Sequence, residues 1–188
     1  MIITISGSPG SGKSTVARMV ALKLGLRHYS SGDFLREIAE KRGLSLLEIS
    51  RAAEKDRSID AELDERTSGL GKNEDGFVMD SRLAYHFIPD SFKVFLTVDE
   101  KEAARRVFGD VKSKKGGRKV EKESTTFAAT LAAIRERKKS EQRRYAKYYK
   151  LDPYALKQYD SVIDTSMSSP EEIASSIIDS IKGRLHSC

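Results

Sequence analysis

The chain has 188 residues and a formal net charge of +6, with a sequence pI near 9.3, which bounds it to one well-cored α/β domain with an insert rather than two large domains. The positive balance suits nucleic acid and polyphosphate substrates equally, so charge alone does not choose between them. The single cysteine, Cys188, rules out an intramolecular disulfide, no apolar run nears the roughly 20 residues of a membrane span, and no leader pattern precedes the first glycine-rich loop; a soluble cytoplasmic protein is expected.

The first predicted strand is Ile2 to Ser6, a β-branched run. It leads into Gly7-Ser8-Pro9-Gly10-Ser11-Gly12-Lys13-Ser14, the pattern GxxxxGK(S/T) without a gap. Val16, Met19, Val20 and Leu24 then recur at helical spacing up to a capping Gly25. Strand, glycine-rich turn and helix is the context that a phosphate-binding loop requires. The glycines let backbone N–H groups approach phosphate oxygens at the positive end of the helix. Lys13 brings a point charge to the β- and γ-phosphates, and the Ser14 hydroxyl is placed to ligate Mg²⁺.

Arg27 to Ser30 is the second predicted strand, and "SSGDFLRE" comes off its end. Ser31, Gly32 and Asp33 make a strand-to-helix turn with Arg36 one helical turn further on, at the edge where open α/β sheets hold ligands. The alternative is a solvated Arg36 paired with Glu40 at i+4. Helical patterns near 33–42, 46–55 and 59–71 follow; they exceed a simple crossover and predict a small helical insertion. Phe77 to Met79 reads as a buried strand ending at Asp80, either a Walker-B carboxylate for Mg²⁺ or a plain strand-terminating residue. Arg82 follows at the same edge.

Phe92 to Val98 and Ser161 to Ile163 complete five predicted strands, and their alternation with helices argues a parallel sheet covered on both faces. Helix starts are marked at Ser45, Asp99 and Ser169, each an N-cap residue three before a glutamate. After Val107 come the basic stretch "VKSKKGGRKVEK" at 111–122 and a long helix predicted from about Thr125 to Tyr149. On that helix Arg137, Glu141, Arg144 and Tyr148 share one face, with the guanidinium groups starting about 10 Å apart along the axis. Such a face is either turned to a ligand or simply solvated.

The P-loop, "SSGDFLRE", "DRSIDAELDER", "DSRLAY", "RKKSEQRRYAKYYKLD" and "YDSVIDTS" occur in the order and approximate spacing of nucleoside monophosphate kinases. Together they resemble the archaeal-type cytidylate kinases over almost the whole chain. The resemblance implies a P-loop kinase: a five-stranded parallel sheet with helices on both faces, a core at 1–30, 76–107 and 150–188, an acceptor-binding insertion at 31–75, and a lid with its bearing helix at 108–149. It implies a kinase that uses ATP and Mg²⁺, and a monomer is expected. Gly7, Ser8, Pro9, Gly10, Ser11, Gly12, Lys13, Ser14 and Thr15 would hold the ATP phosphates, Ser31 and Arg36 the acceptor nucleotide, and Arg82 the acceptor phosphate. Arg137 and Arg144 would flank the transferring phosphoryl group, Asp33 and Asp80 would organise water around Mg²⁺, and Asp60 and Arg66 would belong to the acceptor-binding insertion. Three features depart from the family pattern, one of them the stretch from Phe108 to Lys122, which is longer and more basic than a usual lid of the family. Asp80-Ser81 stands where the family has Glu-Gly, and the tryptophan that follows this motif is missing, with Tyr85 or His86 nearby.

The expected reaction is phosphoryl transfer from ATP to a nucleoside monophosphate, with CMP or dCMP first. A phosphate oxygen is already anionic and needs no general base, which accounts for a chain without an evident His/Asp pair. Two alternatives stay open: AMP or another small acceptor, because "SSGDFLR" also resembles an adenylate kinase motif, and a nucleic-acid-linked P-loop ATPase. No NKxD motif of a base-reading GTPase is present.

Overall fold

A computed structural model describes residues 1–113 and 126–185, without the side chains of 46, 47, 111–113 and 185. Most of the basic stretch, and with it much of the expected lid, lies outside the described residues. Five parallel strands, β1 (Ile2–Gly7), β2 (Arg27–Ser30), β3 (Phe77–Asp80), β4 (Phe92–Thr97) and β5 (Ser161–Asp164), form one sheet in the order β2-β3-β1-β4-β5. In the middle of the sheet, β1 is buried over nearly its whole length, as its β-branched run predicts for a strand covered on both faces. The C-terminal ends Gly7, Ser30, Asp80, Thr97 and Asp164 come out along one edge, so every residue just beyond a strand is delivered to the same rim.

The helices are α1 (Lys13–Leu24), α2 (Ser31–Lys41), α3 (Leu46–Ala53), α4 (Arg57–Asn73), α5 (Ala84–Phe87), α6 (Glu100–Ser113), α7 (Phe127–Tyr149) and α8 (Pro170–Leu185). Their starts follow the chemistry written in the sequence. Ser45 and Glu48 exchange the two hydrogen bonds of a capping box, and Ser169 and Glu172 do the same at 2.7 and 3.3 Å. Asp99 caps α6 by accepting from Lys101 and Glu102. Its own N–H goes to the Ser166 hydroxyl instead of to Glu102, because the Glu102 carboxylate is held by Arg105 and Arg106. One boundary differs: α6 runs on through residue 108 to Ser113, so the helix does not break where the lid was expected to begin.

One face of the sheet packs Ile3, Ile5, Val94 and Leu96 against Val16 and Val20 of α1 and Ile173 and Ile177 of α8. Each such burial contributes on the order of 1.5–3 kcal/mol. Phe77 and Met79 point to the other face and meet Phe34, Ala84 and Ile88. Helices α2 to α4 share a separate cluster centred on Ile38, Ile49 and Ile59. Helix α7 packs elsewhere, with Ile134 against Ala103 and Ala104 of α6 and Tyr145 against Leu83, Tyr85, Phe95 and Tyr159. None of these apolar clusters joins α2–α4 to α7.

Candidate active site

The P-loop leaves β1 at Gly7 and enters α1 at Lys13. Gly10 and Gly12 both have positive φ, 80° and 79°, which an L side chain rarely adopts. A Cβ at Gly10 would strike Ala103 at 2.8 Å, whereas one at Gly12 would meet nothing within 4 Å. The first glycine is thus needed for packing on α6, and the second leaves open space at the mouth of α1. No side chain caps that helix and its first turn has no acidic residue, so no carboxylate of the helix offsets the positive end of its dipole. The Ser11 hydroxyl is buried without a hydrogen-bond partner among the described residues.

Lys13 forms an ion pair with Asp80, whose side chain is 1% exposed. The second carboxylate oxygen of Asp80 is buried and accepts no hydrogen bond from the described residues. Ser31 donates from its hydroxyl to the Asp80 carbonyl at 3.3 Å, which ties the head of α2 to the end of β3. Ser81 is not available to a ligand as a bare backbone surface. Its N–H bonds the Ile5 carbonyl at 3.2 Å, its carbonyl accepts from Ser6 at 2.8 Å, and its hydroxyl accepts from the Leu83 N–H at 3.3 Å.

Arg82 is clamped from two sides. Its Nη1 donates to the Gly7 carbonyl at 2.6 Å and its Nε to Glu141 at 2.9 Å. Glu141, on α7, also accepts from Arg137 at 3.1 Å and from the Tyr154 hydroxyl at 2.6 Å. Burial works against the Glu141 carboxylate, but Arg82 and Arg137 outweigh it and hold the pKa at about 2. Burial likewise opposes the Arg82 charge and Glu141 more than offsets it, so the guanidinium is fixed as a cation. The face of α7 is therefore not merely solvated at Glu141, which is 8% exposed.

Lys13 and Ser31 are thus joined at Asp80, and Arg82 and Arg137 at Glu141, with Arg82 also on Gly7, the end of the strand beside Asp80. Other expected site residues make no described hydrogen bond or ion pair with this group. Arg36 pairs with Asp33, not with Glu40, and both are about half exposed. Arg66 pairs with Glu37 at 2.7 Å and lies 4.1 Å over the Phe34 ring, beside a cavity of about 320 Å³ also lined by Tyr29 and Leu70; no described contact takes it to the P-loop. Arg144, expected beside Arg137, faces Asp60 on α4 at 3.7 Å. Tyr154 and the Asp64–Tyr149 hydrogen bond of 2.5 Å carry no motif; a tyrosine-rich end of α7 was the only hint. Tyr85, near the missing tryptophan, packs at a tilt against Tyr159 with ring centroids 4.9 Å apart.

The residues present fit a divalent cation. Asp80 offers an unpaired buried oxygen, and Ser14 lies in the first turn of α1, which follows β1, the strand paired with β3. No cluster of three His, Cys, Asp or Glu occurs among the described residues, which suits a cation held mainly by nucleotide phosphates and water. No helix of the described residues is long and apolar enough to cross a membrane.

The Cytidylate kinase-like family matches residues 2–167. The chain is 36% identical over 183 residues to a cytidylate kinase of Halobacterium salinarum, covering 96% of this chain and 89% of that one. It is 39% identical over 165 residues to a cytidylate kinase of Methanothrix thermoacetophila, covering 88% of each. Among solved structures, an uncharacterized protein from Eubacterium ventriosum superposes with a TM-score of 0.71 at 20% identity over 97% of this chain and 98% of that one. A shikimate kinase from Bacteroides thetaiotaomicron superposes with a TM-score of 0.66 at 16% identity over 99% and 98%, which shows a shared P-loop kinase fold. With the P-loop, the buried Asp80 and the clamped Arg82 gathered on one rim, and with relatives this similar over nearly its full length, the chain belongs to the cytidylate kinase-like family.

Proposed function

We propose that the chain transfers the γ-phosphoryl group of ATP to CMP or dCMP. The observation that carries this reading is the two-sided clamp on Arg82, which fixes a cation between the P-loop and α7, just where a phosphate accepted from a second nucleotide must meet the first. The cytidylate kinases among its relatives support the choice of acceptor. ATP enters with its phosphates over Gly7 to Thr15, where the uncapped N-terminus of α1 and Lys13 neutralise them. Lys13 leaves Asp80 for the β/γ-phosphates as they arrive.

The acceptor's phosphate is held by Arg82 and Arg36, and one of its anionic oxygens attacks the γ-phosphorus. The bond from the γ-phosphorus to the bridging oxygen breaks, leaving ADP and a nucleoside diphosphate. No proton needs to move, so the residues act by position and charge. Arg82 and Arg137, both tied to Glu141, stand against the equatorial oxygens as charge spreads over them. Ser14 and Asp80 would hold Mg²⁺, and Asp33 its water. Mg²⁺ supplies positive charge to the phosphate oxygens when it is bound. Residues 31–75 work as the acceptor-binding insertion and α7 bears the lid, whose closure excludes water that would otherwise take the phosphoryl group.

A coupled ADP-release assay over CMP, dCMP, UMP, AMP and GMP tests the reading. CMP and dCMP should give the highest kcat/KM. Preference for AMP would replace the acceptor, and ATP hydrolysis stimulated by RNA with no monophosphate turnover would replace the reaction.

A further inference from the structure

Asp60, which is buried, and Arg144, which is half-buried, are charged groups that the phosphate cluster does not use. Asp60, on α4, is 5% exposed, and its Oδ2 accepts no hydrogen bond from the described residues. Arg144, on α7, points its Nε at that oxygen from 3.7 Å, beyond hydrogen-bond reach, and this N–H is also buried and unpartnered. The guanidinium donates from Nη2 to the Tyr145 hydroxyl at 3.1 Å and lies 5.0 Å over the Tyr145 ring. Burial raises the Asp60 pKa, and Arg144 offsets this only in part. A buried carboxylate oxygen without a donor and a buried guanidinium N–H without an acceptor both oppose folding. Packing does not account for them, because no apolar cluster joins α4 to α7.

A carboxylate beside a guanidinium presents, in order, an acceptor and then donors. Cytosine's hydrogen-bonding edge has the opposite order: a 4-amino donor, then N3 and the 2-oxo group as acceptors. The amino group suits a carboxylate, and N3 with the 2-oxo oxygen suits the planar fork of an arginine. Uracil would set its 4-oxo oxygen against the carboxylate and its N3–H against the guanidinium. We infer that Asp60 and Arg144 read the acceptor base, receiving the aminopyrimidine edge of cytosine between α4 and α7. The seam has to widen to admit the ring. The contacts along the seam are polar ones: Ser140 to Glu54 at 3.0 Å, Tyr148 to the Glu54 carbonyl at 3.5 Å, Tyr149 to Asp64 at 2.5 Å, and Arg57 over the Tyr148 ring at 5.8 Å.

This inference rests on the acceptor being a nucleoside monophosphate, and the test separates the two. Steady-state kinetics of the full chain at saturating ATP are measured with CMP, UMP and 2-pyrimidinone riboside monophosphate, the CMP analogue without the 4-amino group. For the wild type, kcat/KM for UMP and for the analogue should lie about ten- to hundredfold below that for CMP. Asp60→Asn should lower the CMP:analogue ratio, because a neutral amide oxygen accepts more weakly than a carboxylate, and raise UMP relative to CMP, since an amide can turn its N–H toward the 4-oxo group. Arg144→Lys, which keeps the charge but loses the fork, should narrow the CMP:UMP ratio, and it gives the answer if Asp60→Asn does not fold. A wild type that uses the analogue as well as CMP overturns the inference. So does a common scaling of all acceptors in both variants, which is what a purely structural role, or a place for Arg144 beside the transferring phosphoryl group, would produce. A wild type that phosphorylates no monophosphate overturns the kinase reading as well.

Discussion

Arg82 donates to the carbonyl of Gly7 at 2.6 Å, so the last residue of β1 sets the position of a cation that enters from the end of β3. The bond uses the fork of the guanidinium, with Nε on Glu141 at the same time. Arg82→Lys keeps a positive charge but cannot hold both partners. Its kcat/KM for CMP should fall about ten- to hundredfold, the loss expected from a charged hydrogen bond of roughly 1.5–3 kcal/mol, with the KM for ATP little changed. Equal rises in the two KM values would remove Arg82 from the acceptor side.

Lys13→Ala should abolish turnover, and it should also weaken the fold. The ion pair with Asp80 is the reason: removing the lysine leaves a carboxylate that is 1% exposed without its cation, and breaking such a pair costs about 3–5 kcal/mol. Thermal melting beside the activity assay checks both parts. A double variant, Lys13→Ala with Asp80→Asn, should regain stability but not activity.

Arg36 is half exposed and its partner Asp33 nearly so, so Arg36→Ala should leave the melting temperature almost unchanged. If Arg36 holds the acceptor phosphate, the KM for CMP should still rise about tenfold or more. An unchanged KM would leave Arg36 as a surface arginine.

What the sequence made legible was whatever local spacing decides. The P-loop, the strand ending at Asp80 and the helix starts at Ser45 and Ser169 are each set by a few neighbouring residues, and each stands where the spacing put it. The Arg36 partner was missed because Asp33 and Glu40 are both within helical reach, and spacing alone cannot rank i−3 against i+4. The bonds Arg82–Glu141, Arg144–Asp60 and Tyr149–Asp64 join residues far apart in the chain. No periodicity encodes them, since they exist only after α7 is laid beside the sheet rim and α4.

Asp64 offers a pH test. Burial, with Asp60 one turn away, outweighs the Tyr149 hydrogen bond and raises its pKa from 3.8 to about 6. A carboxyl that holds its proton more tightly when folded contributes fully below pH 3.8, and the contribution is lost as the pH rises through about 6. Asp64→Asn keeps an acceptor for Tyr149 and removes the charge. It should melt higher than the wild type at pH 8, with the difference shrinking toward pH 4. A gap that is the same at both pH values would show that Asp64 is not the titrating group.

Between α3–α4 and α7 the described contacts are polar or charged, Glu54 with Ser140, Asp60 with Arg144, Asp64 with Tyr149 and Arg57 over the Tyr148 ring, while each side keeps its apolar residues in a cluster of its own. Parting the two sides therefore wets little hydrocarbon, and the heat capacity of the chain should barely change as they separate. The balance between joined and parted forms then shifts along a straight line with temperature instead of a curve, and salt moves it little, because Asp60 and Arg144 are shielded from the ions that would screen them.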